Sequence, residues 1–300
     1  MKKATVEIDG HEISLTNLDK VLYPETGFTK GEVIDYYARI APVLLSHLDG
    51  RPLTRKRYPN GVDQQFFFEK NTPSHKPDWV TTSAVWSGHS ERTIDFVVAD
   101  STATIVWLAQ LAALELHPQL HQGEAPDHPT VVAFDLDPGP PAGLAECCEV
   151  ALLLRELFGV LGLEAWPKVS GSNGMQVYVP LNNGTTTYDD TKSFAMAVAQ
   201  LLEKQHPKLV TSIMAKDQRT GKIFVDWSQN DQHKTTIAVY SMRARARPTV
   251  STPVTWAEVD AGDPTALVFE TGQVLDRVAA HGDLFAEVVS RKQDLPDFSG

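Results

Sequence analysis

Cysteine is almost missing. The chain of 300 residues has two, Cys147 and Cys148, side by side in an apolar stretch of helical spacing. Adjacent cysteines give no disulfide framework and no spaced metal ligands, and they read as buried thiols. No apolar run reaches membrane-spanning length, and the opening MKKATVEIDG has no hydrophobic signal core. A cytoplasmic location is the expectation. Positive charge is also short: 27 Lys and Arg face 38 Asp and Glu, a net charge of −11. That excludes a protein that coats nucleic acid indiscriminately, since phosphate binding needs a positive surface. It leaves room for a local basic cleft in an acidic body. No repeat or low-complexity linker divides the chain.

What is present centres on VVAFDLDPG, residues 131–139. It reads as a short buried strand ending in a Pro-Gly turn. Alternation puts Val132, Phe134 and Leu136 on one face and Asp135 and Asp137 on the other. Two neighbouring carboxylates repel, and a divalent cation held by oxygen ligands would compensate them. The ordinary alternative is a strand end whose aspartates face water or cap the next helix. A later block, KIFVDWSQN, ends another strand in Asp226. Together Asp135, Asp137 and Asp226 match what two-metal phosphoryl transfer needs: one ion activates a 3′-hydroxyl and the other neutralises the triphosphate and leaving pyrophosphate.

Cations and hydroxyls suited to phosphates lie elsewhere. TRKRYPNG carries Arg55, Lys56 and Arg57, followed by Phe66, Phe67 and Phe68. Basic residues near aromatics suit unpaired nucleic acid, although a strand buried on both faces with solvated end charges reads the same way. Ser170–Gly174 forms a loop of N–H and hydroxyl donors, either a phosphate cradle or a plain turn. Lys56, Ser172, Lys234 and Arg243 are the candidate phosphate ligands. Thr29-Lys-Gly-Glu32 is a capping box, and a helix is expected over about Lys30–Leu48. Lys30 at its start, with Lys20 and Asn17 upstream and free helical N–H groups, would suit a phosphate; solvated surface lysines are the simpler reading. Further expectations are an edge strand over 3–10, a hairpin over 79–98, and a helix through STATIVWLAQLAALELH with His117 at its end. Helices over about 142–161 and 191–205, a strand TTIAVYS before an Arg-rich edge, and C-terminal helices from about Thr255 complete the reading.

These motifs in combination resemble the polymerase domain of bacterial ligase D, within the archaeo-eukaryotic primase superfamily. TNLDKVLYP, TRKRYPNGVDQ, FFEK, ALELH, FDLDPG, SGSNG and KIFVDWSQN…KTTIAVYS carry the likeness over nearly the whole chain. The resemblance implies a mixed α/β (α+β) primase-polymerase core with central mixed or antiparallel sheets flanked by helices. It implies one domain over 1–300, with a DNA-end-binding part over about 1–75, a catalytic core over about 76–250 and a helical part over about 251–300. It further implies that Asp135, Asp137 and Asp226 hold Mn²⁺ or Mg²⁺. Lys56, His117, Ser172, Gln229 and Arg243 would line the nucleotide, with Lys234 and Gln176 beside them. Asn17, Lys20 and Lys30 would grip a 5′-phosphate, Phe67 and Phe68 would stack on DNA, and Lys216 and Arg219 would lie near the primer.

Two departures stand out. Family members usually carry S-G-x-K-G-x-H where this chain has Asn173 and Gln176, which can donate a hydrogen bond but bears no charge. The chain also ends without a ligase or phosphoesterase region. The expectation is therefore a stand-alone monomeric polymerase, ribonucleotide-preferring, that fills short gaps or ends in double-stranded DNA with NTP or dNTP, away from membranes, and meets a ligase in trans. Two other classes compete. A haloacid-dehalogenase-type phosphatase would use the D-x-D with Asp189-Asp190. A DNA-end-binding module would have lost catalysis at Gln176.

Overall fold

The computed structural model describes residues 3–87 and 91–296, and the turn of the predicted hairpin falls outside them. The chain forms two units that are interleaved in sequence. The first comprises residues 1–124, 235–251 and 269–283; the second comprises 125–234, 252–268 and 284–300.

The first unit opens with strands β1 (Lys3–Ile8) and β2 (His11–Thr16), paired antiparallel. Asp9 and Gly10 turn between them with φ of 52° and 76°. An Asp-Gly pair with both φ positive is the tight turn that matches strand twist. Short strands β3 (Val21–Tyr23) and β4 (Phe28–Thr29) lead into helix α1 (Lys30–Leu48), at the expected bounds. Its Thr29–Glu32 capping box is formed, and Val33, Ile34, Tyr37, Ile40, Leu44 and Leu48 are buried. A five-stranded antiparallel sheet is built on β5 (Leu53–Arg57), with β6 (Phe67–Glu69), β7 (Thr82–Ser87) and β8 (Arg92–Val97) to one side.

Helix α2 (Thr102–Gln110) is shorter than expected, and ALELHP is not helical. It forms strand β9 (Ala113–Pro118) on the other edge of β5. Ala112 at φ 57° ends the helical path. Ile105, Leu108, Ala109, Ala112 and Leu116 keep helical spacing across the break, so the segment passes for a helix continuation. TTIAVYS also differs from expectation. Its Ala238 N–H donates to Leu116 O at 2.9 Å, but it forms no strand and turns at Val239 and Tyr240. Tyr240 sits at φ 65°, and the bonds from Tyr36 to its carbonyl (2.8 Å) and from its hydroxyl to Asp283 (2.7 Å) hold that bend. The Arg-rich stretch after it is likewise bends rather than a strand.

The second unit is a six-stranded sheet. Its members are β10 (Val131–Pro138), β11 (Trp166–Val169), β12 (Met175–Pro180), β13 (Val210–Thr211), β14 (Ile223–Asp226) and β15 (Thr252–Pro253). The order is β13-β14-β10-β12-β11-β15, antiparallel except for β13 with β14, so the sheet is mixed. Helices α3 (Leu144–Val160) and α4 (Tyr188–Gln205) cover one face. There Phe134 meets Phe158 and Phe194, with ring centroids 5.1 and 6.1 Å away. Burying these rings commits that face of β10 to the core, and Phe134→Ala would cost about 3–5 kcal/mol. The other face of β10 is left to its aspartates. Both cysteines are buried free thiols, as expected. Among the described residues no helix is long and apolar enough to cross a membrane.

Candidate active site

In the second unit, Asp135 of β10 stands directly opposite Asp226 of β14. Directly opposed residues share a face, with Cβ atoms about 5 Å apart. Asp137, two residues along β10, lies on that face too. The carboxyl of Asp135 is pushed up to about 7, first by burial and then by Asp137 and Asp226, against the pull of Gln176 and Lys168. The neighbouring acids thus hold Asp135 toward its protonated form. The row continues across the sheet: Gln176 pairs with Asp135 and Lys168 with Gln176, and both are buried.

The donor set is hard oxygen, and a cation beside it would offset the repulsion that raises Asp135. As the side chains stand, no three acid, His or Cys groups among the described residues close around one point. Asp226 is engaged locally instead. Ser228 donates to its Oδ1 through both N–H (3.0 Å) and hydroxyl, and Gln229 approaches Oδ2 at 3.4 Å. Lys234 donates in turn to the Ser228 hydroxyl. Gln229 and Lys234 therefore sit behind the third acid. Asn230, not foreseen from sequence, holds β14 in register: its side chain makes two 2.8 Å bonds to the N–H and C=O of Ala133.

Two glycines bring loops against the end of β10. A Cβ on Gly174 would run into Leu136 O, and one on Gly139 into Arg219 O. The first close approach seats the Ser170–Gly174 loop, where Ser170 Oγ accepts from Ser172 and Gly174 N–H at 3.2 and 3.3 Å. The second seats the 3₁₀ turn Lys216–Arg219. Arg219 lies 3.7 Å over the Phe224 ring. Phe224 is the ladder partner of Asp137, so Arg219 stands on the acids' side of the sheet.

In the first unit, β5 is two-faced. Lys56 pairs with Phe68 and Glu115, whereas Arg57 pairs with Phe67. The two phenylalanines therefore lie on opposite faces, each half exposed. On the Lys56 face, Glu115 gathers Lys56 (3.3 Å), His117 (2.9 Å) and Arg243 (3.5 Å). Burial alone would raise the Glu115 carboxyl, but the His117 bond and the charges of Arg243 and Lys56 bring it down to about 2. Burial keeps His117 below its usual value, with Arg243 and Lys56 adding to the effect against Glu115. Phe66 lies 4.7 Å from the Lys56 ammonium. Glu115 was not anticipated, because reading ALELH as helix hid the alternation that puts Glu115 and His117 on one side.

On the opposite face Arg57 bonds Glu69 at 2.6 Å. Lys30 is buried, donates to Thr16 O at 2.9 Å, and is lowered to about 8 by burial, Lys20 and Arg57. Lys20 donates to Pro59 O (2.5 Å) and Asn60 Oδ1 (2.9 Å), while Asn17, at φ 56°, accepts from the Lys20 N–H. The helical N–H groups are not free, contrary to expectation. Those of Lys30 and Gly31 go to Lys20 O and Leu18 O, and that of Glu32 goes to Thr29. Any anion here would meet the lysine side chains.

The family description "LigD, primase-polymerase domain" matches residues 29–285. The chain belongs to the LigD primase-polymerase family. It is thereby a nucleotidyltransferase of the polymerase class. It is 47% identical over 280 residues to a Mycobacterium bovis protein named multifunctional non-homologous end joining protein LigD, covering 91% of this chain and 36% of that relative. A Bacillus subtilis protein named bifunctional non-homologous end joining protein LigD is 31% identical over 285 residues, covering 95% and 45%. This chain thus spans less than half of either relative. A solved polymerase domain from Mycobacterium tuberculosis Ligase D in complex with DNA is similar at TM-score 0.86 and 43% identity, over 94% of this chain and 99% of that one.

LigD membership displaces the phosphatase reading. Asp190 accepts from Thr187 N–H and hydroxyl at 2.9 and 2.6 Å, so Asp189-Asp190 starts α4 rather than ending a strand. Gln176, one of the departures from the LigD motif, gives its amide N–H to Asp135, while its buried Oε1 has no hydrogen-bond partner. Such an orphan acceptor costs about 1–3 kcal/mol. A protonated imidazole has no acceptor and would bring a positive charge to Asp135. Gln176→His is expected to raise the rate of nucleotide addition several-fold; an unchanged rate in a primer-extension assay would show the glutamine to be fully adequate.

Proposed function

We propose that this chain is a metal-dependent, template-directed nucleotidyltransferase that extends strands at short gaps or breaks bearing a 5′-phosphate, with a preference for ribonucleotides. The observation that carries the reading is the register that sets Asp226 opposite Asp135, two residues from Asp137. These acids would hold Mn²⁺ or Mg²⁺, and such ions supply charge neutralisation and an acidified hydroxyl when bound. Ser228, Gln229 and Lys234 orient Asp226, and Gln176 orients Asp135. Lys56, His117 and Arg243 suit a triphosphate, and Lys20 and Lys30 suit the 5′-phosphate of a downstream strand. The protein's part is to position and to compensate charge, with little covalent chemistry of its own.

The DNA-bound state of the Mycobacterium tuberculosis domain and the end-joining names of the relatives support a role in break repair, with a ligase acting on the product. Offered a 5′-phosphorylated gapped duplex, NTP or dNTP and either metal, the purified protein is expected to add one or a few templated nucleotides, more readily from NTP. No extension under any combination would remove the proposal.

A further inference from the structure

We propose that Glu115 is a positioning residue for nucleotide binding, the group that makes one anion-binding surface out of Lys56, His117 and Arg243. The inference rests on the nucleotide reading of those three. Glu115 is 2% exposed, whereas Lys56, His117 and Arg243 keep side-chain exposures of 21%, 14% and 19%. The carboxylate lies behind and the cations remain open to a ligand. Both oxygens are used. Oε2 meets Lys56 Nζ and His117 Nε2, and Oε1 meets Arg243 Nε and accepts from Ala244 N–H at 3.1 Å. The last bond anchors the backbone that carries Arg243, so Glu115 fixes a side chain and its support together.

An ionised carboxylate accepts only, so His117 must carry a proton on Nε2, which leaves Nδ1 as the atom a ligand can use. Lys56 and Arg243 would otherwise repel one another and sample many rotamers. Held by one buried acid, they are arranged before a ligand arrives, which is the geometric contribution a triphosphate site needs. The same negative charge also opposes a phosphate, so position and charge pull in opposite directions and can be separated.

The test compares Glu115→Asp, which keeps the charge but withdraws it by one methylene, with Glu115→Gln, which keeps the reach but drops the charge. Nucleotide KM and kcat are measured in primer extension, alongside binding of a 5′-phosphorylated duplex end. Both variants are expected to raise KM by about tenfold or more, with kcat changed much less and end binding unchanged. Adding Glu115→Gln to Lys56→Met should cost less than the two separate effects combined. A fall in KM in Glu115→Gln with no change in Glu115→Asp would mean that charge alone acts, and would overturn the inference. So would a KM raised by Lys56→Met yet untouched by both Glu115 variants. If Lys56→Met leaves KM unchanged as well, the nucleotide reading of the cluster fails with it. Equal losses of end binding and extension would show a structural role only, and would equally overturn it.

Discussion

Asp137→Ala is expected to lower nucleotide addition by about a thousandfold or more while the protein becomes no less stable, since a single preorganised electrostatic element can carry that much of a rate. The two halves of this expectation have one cause. Asp137 is the first of the two acids that, after burial, hold the Asp135 carboxyl up at about 7. An acid raised in the folded state takes stability away as pH climbs from its unfolded value, 3.8, to its folded one. Removing Asp137 relieves that repulsion, so the thermal midpoint at neutral pH should hold or rise. Activity, by contrast, needs the charge density that makes the patch a cation site. Primer extension and thermal unfolding of the same sample make the check. Retained synthesis would rule out the metal role. Lost synthesis together with a sharply lower midpoint would point to a folding defect instead. Binding of duplex DNA should survive, because the lysines of the first unit are untouched.

Replacing Lys20 and Lys30 together by alanine is expected to make gapped-duplex binding indifferent to the 5′-phosphate. A charge-assisted hydrogen bond contributes about 1.5–3 kcal/mol, so each lysine accounts for roughly tenfold or more in preference. The structure sharpens this expectation, because the backbone N–H groups at the start of α1 are already spent and cannot take over. It also gives the preference a pH dependence. Lys30 is lowered to about 8 by burial, Lys20 and Arg57. A phosphate ester is fully ionised above its second pKa near 6, so the preference should fade as pH rises through the Lys30 value, at a midpoint somewhat above 8 because bound phosphate favours the charged lysine. Anisotropy titrations of phosphorylated and unphosphorylated gaps across that range provide the measurement. Equal loss on both DNAs in the double variant, or a flat wild-type profile, would contradict the assignment.

Much of this was legible in the chain itself. The Thr29–Glu32 capping box and the apolar spacing after it placed α1 at its actual bounds, because caps and helical periodicity are local signals. The Asp135 and Asp137 pair declared a shared face through alternation alone. Glu115 was not legible. Its role depends on ALELHP being a strand, and the helical spacing that runs from Ile105 to Leu116 masks the short alternation of Leu114 to His117. The spent N–H groups at α1 were hidden for a related reason: the carbonyls that take them, Leu18 and Lys20, arrive through a turn whose geometry hinges on Asn17 at positive φ.

By itself, then, the order of residues determined which side chains could act as acids, cations and caps, and which of them share a face within one strand or helix. Only the tertiary structure decided that Asp226 comes to rest opposite Asp135, and that one buried glutamate gathers Lys56, His117 and Arg243. The division has a physical basis. Alternation and capping act over a few neighbouring residues, whereas strand register and the burial of a counter-charge are settled by packing between stretches far apart in the chain.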